Sequence, residues 1–168
     1  MNIRAMTAAD LIRILDLRPH PEGGWYREIY RSDEHVNREH LPARYSGARA
    51  FATSIYYLLE AGQFSAFHRL RSDEIWYHHA GGDLEIVRLT RDGQLHIERV
   101  GPIAGQWQSV IPHGDWFAAR PVSGAAFALV GCAVAPGFDF ADFEMGNRAA
   151  LLAAYPHCAE IIESLTRR

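Results

Sequence analysis

Between Phe67 and Gly82 the chain reads FHRLRSDEIWYHHAGG, which sets His68, His78 and His79 around Glu74 in one short stretch. Imidazole and carboxylate are the groups that either hold a transition metal or move a proton near neutral pH. A metal needs three or four such donors converging, whereas proton transfer needs only a pair. Read as two strands with a turn near Arg71 and Ser72, the stretch sends residues of one parity to one face. His68 and Leu70 then share a face, as do Glu74, Trp76 and His78. The turn is expected to bring His68 and Glu74 across a hairpin, within reach of each other. His78 lies four residues beyond Glu74, about 13 Å along an extended strand, too far to share one metal with it.

The elements that must hold these groups are mostly strands. FATSIYYLL, GQFSAFHRL and DEIWYHH are β-branched or aromatic and separated by turn residues. LEIVRL and QLHIERV flank Asp92-Gly93, a dipeptide suited to a two-residue type I′ hairpin turn. GQWQSVIPHGDWFAARP and GAAFALVGCAVAP add more strands, and WYREIYRS another near the start. Eight or more short strands with little helix between them predict an antiparallel sandwich or barrel. Helix is expected at both ends. Thr7 and Asp10 form a capping-box pair ahead of Leu11, Ile14 and Leu15, and Pro19 and Pro21 stop that helix. NRAALLAAY and PHCAEIIESLTR supply the C-terminal helices, the second opened by Pro156. PHPEGG between helix and strand reads as a turn-rich loop and not a phosphate loop, since no lysine or helix follows it.

The 168 residues fit one domain, and no linker divides them. A net charge of -3 with no Lys/Arg cluster argues against nucleic-acid and anionic-membrane partners. No apolar run reaches the length of a membrane span, and the charged start lacks a signal-peptide core. Cys132 and Cys158 are not in a CxxC pattern and read as buried free thiols, placing the protein in the cytoplasm.

The spacing Gly62-x5-His68-x-Leu70-x3-Glu74-x6-Gly81 resembles the first motif of the cupin superfamily, G-x5-H-x-H-x3-4-E-x6-G. Gly105-x6-Pro112-x-Gly114-x2-Phe117-x3-Pro121 is similar to the second motif. PEGGWYREIYRS, SIYYLL, LVGCAVAPGFDFADFEM and YPHCAEIIESLT extend the likeness to cupin family five, a domain of unknown function, over nearly the whole chain. The resemblance implies a mainly β chain: a cupin double-stranded β-helix, or jelly-roll barrel, with an N-terminal helix and C-terminal helices. It implies one cupin domain over residues 1–168, with a barrel core at about 25–145. It also implies a homodimer in which the strand near Trp25–Arg31 is exchanged. Cupins hold a metal with three histidines and a glutamate; here Leu70 and Phe117 occupy two of those positions, so no metal or other cofactor is expected. A weak divalent ion held by His68, Glu74 and waters stays open.

What remains is His68 and Glu74 as an acid-base pair in a pocket lined by Leu70, Trp76, His78 and Phe117, with Tyr56 or Tyr57 as a further acid. Strand parity lets only one of those tyrosines face inward. The expected function is binding of a small polar ligand, with metal-independent isomerase, epimerase or lyase chemistry. A non-catalytic ligand-binding cupin and a metal-dependent enzyme with a reduced ligand set are the alternatives. Arg27 and Glu28 have opposite parity, so one of them faces inward, and an inward Arg27 would suit a carboxylate or phosphate ligand, although a solvated edge strand is the commoner explanation. The three phenylalanines of GFDFADFEM read as apolar docking.

Overall fold

The computed structural model describes residues 6–167. Residues 1–5, part of the start judged to lack a leader, and Arg168 lie outside the described residues. In chain order the strands are β1 (Arg18–Pro19), β2 (Trp25–Arg31), β3 (His35–Val36), β4 (Arg49–Ala50), β5 (Thr53–Glu60), β6 (Ser65–Arg69) and β7 (Asp73–Gly81). They continue as β8 (Leu84–Leu89), β9 (Leu95–Val100), β10 (Gln108–Ile111), β11 (Trp116–Pro121), β12 (Phe127–Ala135) and β13 (Glu144–Met145). Helices α1 (Ala8–Ile14), α2 (Arg148–Ala154) and α3 (Ala159–Ser164) lie at the two ends.

The strands make two antiparallel sheets, ordered β1-β2-β5-β12-β7-β10 and β13-β6-β11-β8-β9, plus the small ribbon β3-β4. The sheets pack face to face but are not closed into one ring of hydrogen bonds. Alternation along each strand explains the layers. Tyr57 and Leu59 of β5 join Trp76, Ile86, Phe117 and Val130 in the core between the sheets. Their neighbour Leu58 points the other way, packing with Leu11, Leu17 and Tyr56 beneath α1. In the second sheet, Phe117 and Ala119 face inward while Ala118 faces Leu151, Cys158 and Ile162 of the C-terminal helical segment. Period-two patterning therefore gives each sheet two apolar faces, and the terminal helices cover the outer ones.

Local chemistry sets the element ends. The Thr7 hydroxyl accepts from the Asp10 N–H while Asp10 accepts from Thr7 N–H, as the capping box predicts. Asn147 caps α2 through Ala150 N–H. The β8–β9 turn departs from the two-residue expectation. Thr90 pairs with Gln94 around Arg91, Asp92 and Gly93, and only Gly93 has positive φ, at 88°. A three-residue loop ending in a left-handed glycine needs no strained aspartate. No helix among the described residues is long and apolar enough to cross a membrane.

Candidate functional site

The site begins in the PHPEGG turn. His20 N–H donates to Gly24 O and Gly23 N–H to His20 O, closing a tight loop. Gly23 and Gly24 have φ of 124° and 68°, and a side chain on either would strike the backbone of Phe64 or Leu58. Only glycine lets the turn lie this close to the sheets. Two bonds fasten it there: Ala66 N–H donates to Glu22 O at 3.0 Å, and Tyr57 Oη–H to Gly23 O at 2.7 Å. Glu22 is thereby carried inward and left 5% exposed.

Its carboxylate meets the first sheet-borne histidine. Glu22 Oε2 lies 3.1 Å from His68 Nε2, and Ser65 Oγ donates to Glu22 Oε1 at 2.9 Å. His68 Nδ1 sits 2.8 Å from Ala66 O, which can only accept, so Nδ1 carries a proton. The other ring nitrogen, Nε2, faces Glu22. His20 is arranged differently. Its Nδ1 accepts from Glu22 N–H at 3.3 Å, which makes the ring neutral, and burial accordingly lowers its pKa. The 3.6 Å approach of His20 Nδ1 to Glu22 Oε2 is therefore not an ion pair.

Glu74 faces the same cavity from the opposite sheet, with a contrasting environment. Its Oε2 is buried and has no hydrogen-bond partner. Burial first, then the charge of Glu22, raises its pKa to about 8, against weaker lowering by the Trp76 indole and the Cys132 thiol. Glu74 is a protonated acid at neutral pH. Trp76 Nε1–H beside it is likewise buried and makes no hydrogen bond of good geometry, its approach to the Glu74 carboxyl being one source of that lowering.

These groups line a cavity of about 470 Å³ whose remaining wall includes Tyr26, Ile55, Leu70, Val134 and the phenylalanines 138, 140 and 143. The phenylalanines pack edge to face, with centroids 5.0 Å apart for 138 and 140 and 6.2 Å for both other pairs. Their segment is pinned by Asp142, which takes two hydrogen bonds of 2.6 Å from the buried Arg49. Arg31 also lines the cavity, but its fork is closed on Glu28 at 2.7 and 3.0 Å, and it donates to Phe138 O.

The expected residues divide. His68, Glu74, Leu70, Trp76 and Tyr57 line the cavity. His68 and Glu74 are not a cross-strand pair, because β6 and β7 belong to different sheets. The turn at Arg71 and Ser72 crosses between the sheets, so the histidine's carboxylate partner is Glu22. Phe117 lies opposite His68 in the β11–β6 register and packs against its ring, with centroids 4.0 Å apart and planes tilted by 55°, outside the cavity lining. Tyr56 points outward against His79. Tyr57 is inward, but its hydroxyl proton is engaged by Gly23, and burial raises its pKa well above normal, so it anchors the turn. His78 lies outside the lining, with Nε2–H on Gly82 O and its ring against Trp107. The sequence reading missed Glu22, His20 and Arg31. The available signal was the Gly-Gly pair after Glu22, which marks a turn pressed against other backbone. The phenylalanines face the cavity as well as one another.

The residues present do not fit the metal that this constellation of motifs implies. Two of its four ligand positions hold Leu70 and Phe117, and among the described residues no three His, Cys, Asp or Glu side chains are placed to hold an ion.

The family model described as "Cupin superfamily (DUF985)" matches residues 9–146. Protein SO0799 from Shewanella oneidensis is similar at 39% identity and TM-score 0.85, over 96% of this chain and 98% of that one. A hypothetical protein from Leishmania major is similar at 32% identity and TM-score 0.87, over 97% and 100%. Oxalate decarboxylase from Bacillus subtilis shares the fold at 18% identity and TM-score 0.55, over 90% of this chain and 38% of that one. No curated protein matches the chain.

Proposed function

Because the chain belongs to the cupin superfamily, in its DUF985 family, we propose that it binds a small ligand in its cavity and moves a proton on it, as a metal-independent isomerase or lyase. The observation that supports this is the unequal pair of carboxyl groups on one cavity. Glu22 is held by His68 and Ser65, whereas Glu74 Oε2 makes no hydrogen bond of good geometry and burial raises the Glu74 pKa to about 8. Raising one of two carboxyl groups on a cavity in this way provides an acid beside a base. The His68–Glu22 unit takes a proton from the carbon next to a carbonyl, through the carboxylate, since His68 Nε2 is turned toward Glu22. The C–H electron pair becomes the new C=C bond, and the carbonyl oxygen takes the Glu74 proton. Return of a proton to carbon, with Glu74 reprotonated, completes an isomerisation.

The test is exchange of substrate protons in D2O, over a panel of small ketones and aldehydes followed by NMR. Wild type should wash deuterium into the α-position, and Glu22→Gln should lose at least a hundredfold while remaining folded. If no panel member exchanges faster than with the Glu22→Gln/His68→Ala protein, the reaction is wrong and a non-catalytic binding cavity stands in its place.

We also propose a homodimer joined near Trp25–Arg31. In the described chain β1 covers only Trp25 and Tyr26 of β2, leaving the rest of that edge open, with Ile29 and Tyr30 exposed. An open edge with apolar side chains invites another strand. Gel filtration should give about twice the 18.9 kDa chain mass, and the monomer mass would remove the proposal. The two buried free cysteines agree with a reducing compartment, the cytoplasm.

A further inference from the structure

We infer, resting on the proton-transfer reading, that the cavity takes an uncharged carbonyl compound whose oxygen meets Glu74 and Trp76 and whose planar apolar body lies against Phe138, Phe140 and Phe143. Three observations converge on this class.

The first is the pair of orphaned polar groups. Trp76 and Glu74, 1% and 6% exposed, both line the cavity, and Trp76 Nε1 and Glu74 Oε2 make no hydrogen bond of good geometry, although the indole lies close enough to the carboxyl to lower its pKa. An indole N–H can only donate, and a protonated carboxyl without a partner also has a proton to give. Where the indole proton is not fully taken up by the carboxyl, both groups can donate to one acceptor. A carbonyl oxygen, with two lone pairs, satisfies both, whereas an ammonium ion satisfies neither.

The second is charge. A buried carboxylate or phosphate needs a cation to replace its hydration. Among the described residues lining the cavity, every basic group is already committed. Arg31 is closed bidentately on Glu28, His68 faces Glu22, and His20 is held neutral by the Glu22 N–H. Asp139 on the same wall adds negative charge. Arg44 and Arg71 line a different recess on the far side of Leu70 and Phe143, beside Arg69, whose guanidinium is closed on Glu144. An anionic ligand is therefore turned away from the cavity, including the keto acids and sugar nucleotides that an inward arginine would have suited.

The third is shape. The phenylalanines and Tyr26 give the cavity flat aromatic surface, and Ile55, Leu70 and Val134 add aliphatic groups. Aromatic faces and edges of this kind favour a planar apolar guest.

The probes are acetophenone and benzoate, alike in shape and different in charge, with 2-acetylnaphthalene and 2-naphthoate as the larger pair. The readout is the Trp76 indole N–H signal of the full chain, identified by its loss in Trp76→Phe. A ketone should shift that signal saturably, and its carboxylate counterpart should bind at least tenfold more weakly. Glu28→Gln, which opens the Arg31 fork, should restore carboxylate binding. Carboxylates that shift the signal as strongly as ketones in wild type would overturn the inference, as would ketones that leave it unmoved. Failure of Glu28→Gln to admit benzoate would overturn the electrostatic exclusion. The same samples in D2O separate this inference from the reaction. Ketone binding without methyl-proton exchange keeps the ligand class and removes the chemistry. Exchange without a Trp76 shift keeps the chemistry and removes the ligand placement.

Discussion

Glu22 Oε2 stands 3.1 Å from His68 Nε2, joining a glycine-rich turn to a strand of the second sheet across more than forty residues of sequence. Neither group would be set without the other. The turn is docked by Ala66 N–H and Tyr57, and the same Ala66 accepts the His68 Nδ1 proton through its carbonyl. One residue of β6 thus orients both members of the pair.

Replacing Glu22 by alanine should therefore disturb more than chemistry. His68 Nε2 and Ser65 Oγ would both lose their buried partner, at a cost of about 2–4 kcal/mol in unfolding free energy. Glu22→Gln keeps the Ser65 bond and should cost roughly half as much. Urea titration of the two variants checks the ordering.

Stability should fall as pH rises from mildly acid to mildly alkaline. Glu74 titrates near 8 in the folded chain and near its ordinary 4.5 when unfolded. Between those values the unfolded chain binds fewer protons. The contribution is fully present below about 4.5 and is lost as pH passes through 8, amounting to about 5 kcal/mol at most. Glu74→Gln mimics the neutral acid at every pH, so its stability curve should be flatter and lie above wild type at pH 9. Parallel curves for the two proteins would show that Glu74 does not carry its proton in the fold.

The catalysed exchange should show a matching alkaline limb. Activity that needs the Glu74 proton falls as pH rises through about 8, and Glu74→Gln should lower the rate and abolish that limb. A pH-rate profile measured from 6 to 9.5 is sufficient.

Asp142→Ala should open the cavity rim. It leaves the guanidinium of Arg49, itself only 4% exposed, without its carboxylate. Breaking such a pair costs about 3 kcal/mol. It also frees the segment holding Phe138, Phe140 and Phe143, so ketone affinity should weaken about tenfold. Retention of wild-type affinity would mean the rim is held by its phenylalanine contacts alone.

Much of the fold was legible because its signals are local. The Thr7–Asp10 cap, the Asn147 start of α2 and the alternating strands all depend on residues a few positions apart. Leu70, Trp76 and Tyr57 could be assigned inward or left to parity for the same reason. The pairing of His68 could not. Whether the turn after β6 stays in one sheet or crosses to the other depends on sheet packing, which spacing does not encode, and the crossing exchanged Glu74 for Glu22 as its partner. His78 failed as a lining residue because period-two parity fixes a face but not a depth along it. Arg31 was visible only as one of several charges in WYREIYRS, and its closure on Glu28 required coordinates.

The alternation along β5 limits how this protein can drift over generations. Tyr57 and Leu59 serve the space between the sheets while Tyr56 and Leu58 serve the layer under α1, and β5 is hydrogen-bonded to β2 on one side and β12 on the other. Exchanges of one apolar side chain for another are absorbed locally. Gain or loss of a single residue inverts every side chain beyond it, pulling the Tyr57 hydroxyl off Gly23 and releasing the turn that presents Glu22. Lineages carrying this site should accordingly vary in the composition of β5 while keeping its length, or change that length only in steps of two.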